Sequence, residues 1–393
     1  MNHRALDIVY CQLYCVTAPE ERAQEINELL MKENEPMDIE AENNEIDNIS
    51  PEKIDPKDID ITAEQNSLST IIGMIEDDTI DLNTEFQGNL WPETTMSRLI
   101  ESILLRFPIP AFYFDASNDE KWLVVDGLQR LWSFKRFVVD KDLTLKNLSI
   151  LTDLEDKNYE QLSPILKRKI ARYQVTTYLI KPGTPKKVKY EIFNRINTGG
   201  LVLTKQEIRH VLNQGKPANY LKELVEDNRF KAILDVTDQR MQARELILRY
   251  LAFSNTPYTE YEPPFPSFLD KAMEQLARLE DKKLDQLKKN LWQALETCQK
   301  LFEQHIFSRS ILTGKRKLNG ALFEVWTVLI GQLNEQKIKR LVSEKDRLIT
   351  QFKSLMQDKE FTKSISGSIS SKSSVTMRFK TIESMIKEIL NDQ

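Results

Sequence analysis

Apolar side chains recur along this chain at two spacings, and the change from one to the other divides it. Leu68, Ile71, Ile72 and Ile75 fall at helical spacing and predict a helix over 67–76. Trp91-Pro92 predicts a second helix start, because proline's fixed φ and missing N–H suit the first helical position. Met96, Leu99, Ile100, Ile103 and Leu104 continue that helix until Pro108 stops it. Ala111 to Asp115 and Lys121 to Val125 read as strands, Tyr173 to Ile180 alternates like a third, and Lys186 to Ile196 reads as a helix. Beyond about residue 215 strand signals nearly vanish. Helical periodicity there covers 216–227, 238–253, 266–279, 282–306, 318–334, 337–357 and 375–391, and serine-rich Ser364 to Ser374 predicts a mobile loop. The pattern therefore predicts an α+β domain over 67–212 followed by an all-α helical domain over 215–393. No internal repeat is visible.

The stretch before residue 67 changes this picture through its charge. Residues 1–31 read as a short amphipathic helical segment. Residues 32–66 carry Pro36, Pro51 and Pro56, many asparagines and no aromatic side chain. Between Glu33 and Glu64 twelve acidic side chains face only Lys53 and Lys57, which predicts a disordered acidic linker. Such a tether could also cover a basic cleft. The full chain has a net charge of -5, so residues 65–393 are mildly basic, which is compatible with nucleotide or nucleic-acid binding without diagnosing it. No apolar run reaches the 18 residues of a membrane helix, and the start lacks a basic segment followed by a clean apolar block, so no membrane partner and no signal peptide are expected. The three cysteines are too few for a disulfide framework or a closed zinc site. A cytoplasmic protein is expected.

Candidate chemistry concentrates at one junction. The apolar run Trp122 to Val125 breaks at Asp126-Gly127 and resumes at helical spacing with Leu128, Leu131, Trp132 and Phe134. That is a strand, a tight turn and a helix start. Amides at a helix start form an anion site, and a guanidinium there can fork onto phosphate oxygens. Asp126 is a candidate for holding a magnesium ion or orienting water, and Gly127 for close backbone approach. Gln129 is a candidate for positioning water or reading a base, and Arg130 for neutralising phosphate charge. An ordinary turn, with Asp126 capping it and Arg130 solvated, is the plainer alternative.

A second block completes a known pattern. Ser97-Arg98-Leu99-Ile100-Glu101-Ser102-Ile103-Leu104-Leu105, Pro108-Ile109-Pro110 and Asp126-Gly127-Leu128-Gln129-Arg130 are followed by Ile192-Phe193-Asn194-Arg195-Ile196-Asn197-Thr198-Gly199-Gly200 and Glu207-Ile208-Arg209. This order and spacing resemble the N-terminal domain of GmrSD-type modification-dependent restriction enzymes, a group that includes stand-alone phage-defence proteins. The resemblance covers about residues 67–212. Met241 to Phe253 and Asn319 to Trp326 resemble the helical extension of stand-alone members less specifically.

The resemblance implies a ParB/sulfiredoxin-like fold that binds, and in relatives hydrolyses, nucleoside triphosphates. Asp126, Gln129 and Arg130 would be catalytic, with Asp126 on Mg2+. Gly127, Arg98, Gln87, Arg195, Asn197, Thr198, Gly199 and Gly200 would bind nucleotide. Many relatives carry Gln-Arg shortly before the tryptophan that precedes the first helix; here Gln87 is present and the arginine is not. Thr204 and Glu207 form a capping box and are assigned to structure, as is His210. Arg98 and Glu101, and Glu245 and Arg249, are spaced as helical ion pairs.

The chain has only three histidines and cannot build the His-rich metal cluster of the nuclease domain that often follows this family's N-terminal domain. Three functions stay open. The first is a nucleotide-binding, NTP-hydrolysing protein of a DNA-directed, restriction-like defence system, working with a separate nuclease or modification enzyme. The second is a non-enzymatic nucleotide- or DNA-responsive switch. The third is DNA binding through the basic body alone.

Overall fold

The computed structural model describes residues 37–40, 55, 57, 59–82, 90–118, 120–196, 203–309 and 317–391. The predicted N-terminal helical segment, most of the acidic linker, Gln87 and the run Asn197 to Gly200 lie outside these residues. Two parts of the supposed linker lie inside them, and both are ordered strands. Asp38–Ile39 forms β1 and Ile61–Ser67 forms β2. Apolar alternation is absent from β2, so the sequence pattern missed it. Its partner supplies what its own side chains do not: Gln65 and Asn66 donate to the hydroxyls of Thr176 and Thr177 at 2.8 and 2.9 Å.

The first described domain is α+β. Its strands are β2, β3 (Ile80–Asp81), β4 (Phe112–Asp115), β5 (Trp122–Asp126) and β6 (Gln174–Ile180). They lie in the order β2-β6-β4-β5-β3. β2 runs antiparallel to β6 and β4 runs parallel to it; β4 and β5 are antiparallel, with an irregularity between Tyr113 and Phe114. Side chains alternate across the sheet as the pleat requires. Phe112, Phe114, Trp122 and Val124 face the larger core beneath α1 (Leu68–Glu76), α2 (Glu93–Leu104), α3 (Leu128–Phe134) and α4 (Pro164–Ala171). Tyr113, Leu123 and Val125 face a smaller core, roofed by Tyr190 and Phe193 of α5 (Lys186–Ile196) and Ile208 and Val211 of α6 (Lys205–Leu212).

Local signals explain most helix ends. Ser67 caps α1 and Ser163 caps α4, each accepting a backbone N–H three residues on. Pro92 sits at the cap of α2, one residue before the position expected, with ψ 148° keeping it extended. α3 widens at once into a π turn over Lys135–Val139. Arg136 in that turn reaches Glu93 on α2 at 3.1 Å and Asp142 at 3.2 Å, tying the two helices.

The helical domain comprises α7 (Lys216–Glu226), α8 (Asn228–Leu234), α9 (Gln242–Asn255), α10 (Phe265–Arg278), α11 (Asp281–Phe302), α12 (Gly320–Gly331), α13 (Glu335–Ser343), α14 (Lys345–Leu355), α15 (Lys359–Ser366) and α16 (Lys372–Asn391). The two-residue β7 (Lys317–Leu318) precedes α12 and pairs in parallel with β1. Every residue of α12 is buried, which fits a helix that is apolar all round. The one charge on α12, Glu324, is met inside the core by Arg378 of α16, whose guanidinium also donates to the carbonyls of Ser364 and Ile369. The serine-rich run expected to be a mobile loop instead closes α15, turns and opens α16, with Ser364, Ile365, Ile369 and Ser370 buried.

Among the described residues no helix is long and apolar enough to cross a membrane.

Candidate functional site

β5 ends at Asp126, and the chain must turn sharply to enter α3. Gly127 makes that turn at φ 101° and ψ 6°, in the left-handed region that favours glycine. The site also lacks room for a side chain. A Cβ there would lie 2.4 Å from Cδ1 of Phe112, so glycine is required twice over.

The two polar residues that follow are committed to the fold. Gln129 accepts the backbone N–H of Trp91 through Oε1 at 2.8 Å, pinning the start of α2 to α3. Arg130 is buried. Its guanidinium donates to the carbonyls of Pro110 and Ala111 and, at 2.7 Å, to Oδ2 of Asp126, and it lies 4.6 Å above the Phe112 ring. Burial pulls its pKa down from the usual arginine value, and the adjacent Asp126 carboxylate works against that. Arg130, expected to neutralise phosphate and on the plainer alternative to be solvated, is a buried clamp that joins the two ends of the β4-β5 hairpin to the Pro108-Ile109-Pro110 segment.

Around this turn opens a cleft of about 860 Å3. It is walled by Trp91, Leu99, Ile109 and Tyr113 and faced by Asp126, Gly127, Gln129 and Arg130. Arg98 enters from α2 and Arg195 from the end of α5, both exposed. The structure thereby brings together six of the sequence-predicted residues: Arg98, Asp126, Gly127, Gln129, Arg130 and Arg195. Gln87, Asn197, Thr198, Gly199 and Gly200 lie outside the described residues.

Two contributors were not predicted for the site. Glu207 was assigned to the capping box, and it does accept the Thr204 N–H at 2.6 Å while Thr204 accepts the Glu207 N–H at 3.1 Å. It also holds Arg240 in a two-pronged ion pair, with bonds of 2.8 and 2.7 Å. Arg240 comes from the segment before α9, in the helical domain, and lines the cleft. Both Arg240 (φ 54°) and Met241 (φ 59°) are left-handed, a conformation that costs non-glycine residues energy. No local sequence signal marks Arg240, because the fold alone carries it from a distant segment to the cleft.

Glu101 plays a different part from the expected pairing with Arg98. It is buried, and its carboxylate accepts the backbone N–H groups of Ser149, Ile150 and Leu151 at 3.1, 2.7 and 2.8 Å. Burial alone would raise its pKa, but those three donors and the nearby Arg98 charge hold it below the usual carboxylate value. The Glu245–Arg249 pair forms as its spacing predicts, at 2.7 Å.

Among the described residues the cleft presents four guanidiniums, from Arg98, Arg130, Arg195 and Arg240, and two carboxylates, from Asp126 and Glu207. Its character is cationic and hydrogen-bond donating, which suits an anion with several oxygens. The donor set does not fit a resident Mg2+. Both carboxylates are engaged by arginines, and no group of three or more His, Cys, Asp or Glu gathers among the described residues.

No curated protein and no solved structure is similar to this chain at a significant level. The family model for the N-terminal domain of the GmrSD restriction endonuclease matches residues 86–213, from just before α2 to just after α6, and so spans the segments that build the cleft apart from Arg240. Residues 86–213 are thereby identified as a domain of the GmrSD restriction endonuclease N-terminal domain family, an assignment that covers those residues alone.

Proposed function

We propose that the cleft around Gly127 binds the phosphate groups of a nucleoside triphosphate, in a protein of a DNA-directed, restriction-like defence system. The observation that carries this reading is the convergence of Arg98, Arg195 and Arg240 on one glycine turn, inside a domain of the restriction family. A polyphosphate chain offers many acceptor oxygens to forked donors, and the apolar wall of Trp91 and Leu99 offers a surface for a base. The ParB/sulfiredoxin-like identity of the sheet domain belongs to the same proposal and is supported by the family match.

Binding is favoured over turnover. Asp126 would have to release Arg130 before it could orient water, and Arg130 would have to leave the carbonyls it bonds before it could reach a phosphate. Mg2+ would travel with the nucleotide. The non-enzymatic switch is supported by a separate observation. Arg240 belongs to the helical domain yet faces the cleft, so an anion competing with Glu207 for its guanidinium would act on both domains. DNA and a separate nuclease or modification enzyme are the expected partners of such a switch.

Calorimetric titration of each nucleoside triphosphate, with and without magnesium, into the full chain and its Arg98→Ala and Arg195→Ala variants tests the reading. Each substitution should weaken binding by about tenfold to a hundredfold, the loss of one charged hydrogen-bonding group. Absence of saturable binding to the folded wild type would return the turn to a purely structural role. Phosphate release under the same conditions would promote the protein to a nucleoside triphosphatase.

A further inference from the structure

The segment Met37-Asp38-Ile39-Glu40 does not line the cleft and is seated on the helical domain as an extended peptide. Its alternation follows the strand period: Met37 is buried in the helical core, Asp38 faces outward, and Ile39 packs half-buried against the same core. Its backbone is held at both ends. Met37 donates its N–H to the carbonyl of Asp235 and Glu40 donates to that of Leu318, each at 2.8 Å, while β1 pairs in parallel with β7. The Glu40 carboxylate is grasped by two donors, Nε of Arg309 at 3.0 Å and Nδ2 of Asn319 at 2.8 Å.

These are the parts of a peptide-recognition site. Main-chain bonds along an exposed strand supply affinity, a core pocket selects one apolar side chain, and a charged end group fixes register. Asn319, which receives the carboxylate, is almost wholly buried and is bonded to the helical domain on its other sides. Its Oδ1 caps α12 by accepting the Leu322 N–H at 2.9 Å, and its Nδ2 also donates to the Ile365 carbonyl at 2.8 Å. The receptor is therefore built from helical-domain residues alone. Its occupant comes from an acidic stretch that is remote in sequence, 269 positions from Arg309 and 279 from Asn319.

We infer that the helical domain carries a docking site for an extended acidic peptide of the pattern apolar-x-apolar-Glu, and that this chain fills it in cis with Met37 to Glu40. The tether keeps the local concentration of the segment high, so the site is closed to other peptides until the segment is displaced.

A fluorescently labelled peptide spanning residues 33–44 tests this by anisotropy against three full-length proteins: wild type, Glu40→Ala, and the double variant Met37→Asp with Glu40→Ala. The peptide should bind the double variant saturably and about tenfold or more tighter than it binds wild type, with Glu40→Ala intermediate. A peptide carrying Met37→Asp should fail to bind. Circular dichroism establishes that each variant is folded, and Glu40→Ala keeps the test open if the double variant is not. No binding to a folded variant overturns the inference. So does equal binding to wild type and variants, or undiminished binding of the Met37→Asp peptide.

Discussion

Replacing Arg130 with lysine separates what this guanidinium does for the fold from what it could do for a ligand. Lysine keeps the charge and can still reach Asp126, but a single ammonium cannot span the carbonyls of Pro110 and Ala111 as the fork does. Each hydrogen bond made by a charged group contributes about 1.5–3 kcal/mol. Water at the cleft edge recovers part of this, leaving a net loss of about 2–4 kcal/mol. The cation stacked 4.6 Å above Phe112 also weakens, by about 0.5–1 kcal/mol. A domain of about 150 residues shifts its melting temperature by roughly 2–4 °C per kcal/mol, so the α+β domain should melt about 5–20 °C lower. Scanning calorimetry of the full chain measures this, with Arg98→Ala in parallel. Arg98 is exposed, and its loss should cost no more than about 0.5 kcal/mol. An Arg130→Lys protein that melts with wild type yet loses nucleotide binding would refute the clamp and return Arg130 to the ligand. The same reasoning makes Arg98 and Arg195 cleaner functional probes than Asp126 or Arg130.

Other outcomes follow from single environments. Gly127→Ala meets both the positive φ and the Phe112 ring, and urea unfolding should show a loss of about 2–5 kcal/mol; a change under about 0.5 kcal/mol would mean the turn can relax. Glu101 has its folded pKa held below the unfolded value, so its stabilisation is complete above about pH 4.3 and is lost as pH falls through the lower folded value. Glu101→Gln should therefore flatten the acid side of the stability profile, and matching wild-type and variant slopes below that pH would contradict the assignment. Cys298 is fully buried in α11, and burial pushes its thiol pKa up. Iodoacetamide should modify the peptide containing it only after denaturation, and stoichiometric labelling in native buffer would show that α11 opens.

Local chemistry made much of this fold readable. Lys186–Ile196 is the helix its periodicity predicted, and the strand, turn and helix around Asp126-Gly127 fall where the apolar run breaks. Leu68, Ile71, Ile72 and Ile75 are the buried face of α1. What stayed hidden depends on partners distant in sequence. β2 is polar and exists because β6 pairs with it along its whole length. Met37 lies in a proline- and acid-rich stretch whose composition argues for disorder, yet one buried side chain and a gripped carboxylate order it locally. The predicted helix over 337–357 is two helices that part at Glu344, and the serines near Ser364 are buried because Arg378 needs their carbonyl neighbours. The same holds in the cleft. Motif residues marked its location, but the sequence could not reveal that Gln129 and Arg130 are occupied by backbone partners, or that Arg240 arrives from the other domain.

The amide of Asn319 has a consequence for how its carboxylate partner is met. An amide can be rotated by half a turn at no cost in shape, which exchanges its donor and acceptor ends. Here the Leu322 N–H demands the oxygen on one side and the Ile365 carbonyl demands the nitrogen on the other. The rotated form would set donor against donor and acceptor against acceptor. Both constraints persist when Glu40 departs, so one N–H stays aimed at the vacated position. An arriving acidic peptide finds its hydrogen-bond donor already oriented and does not have to spend rotamer entropy to arrange it.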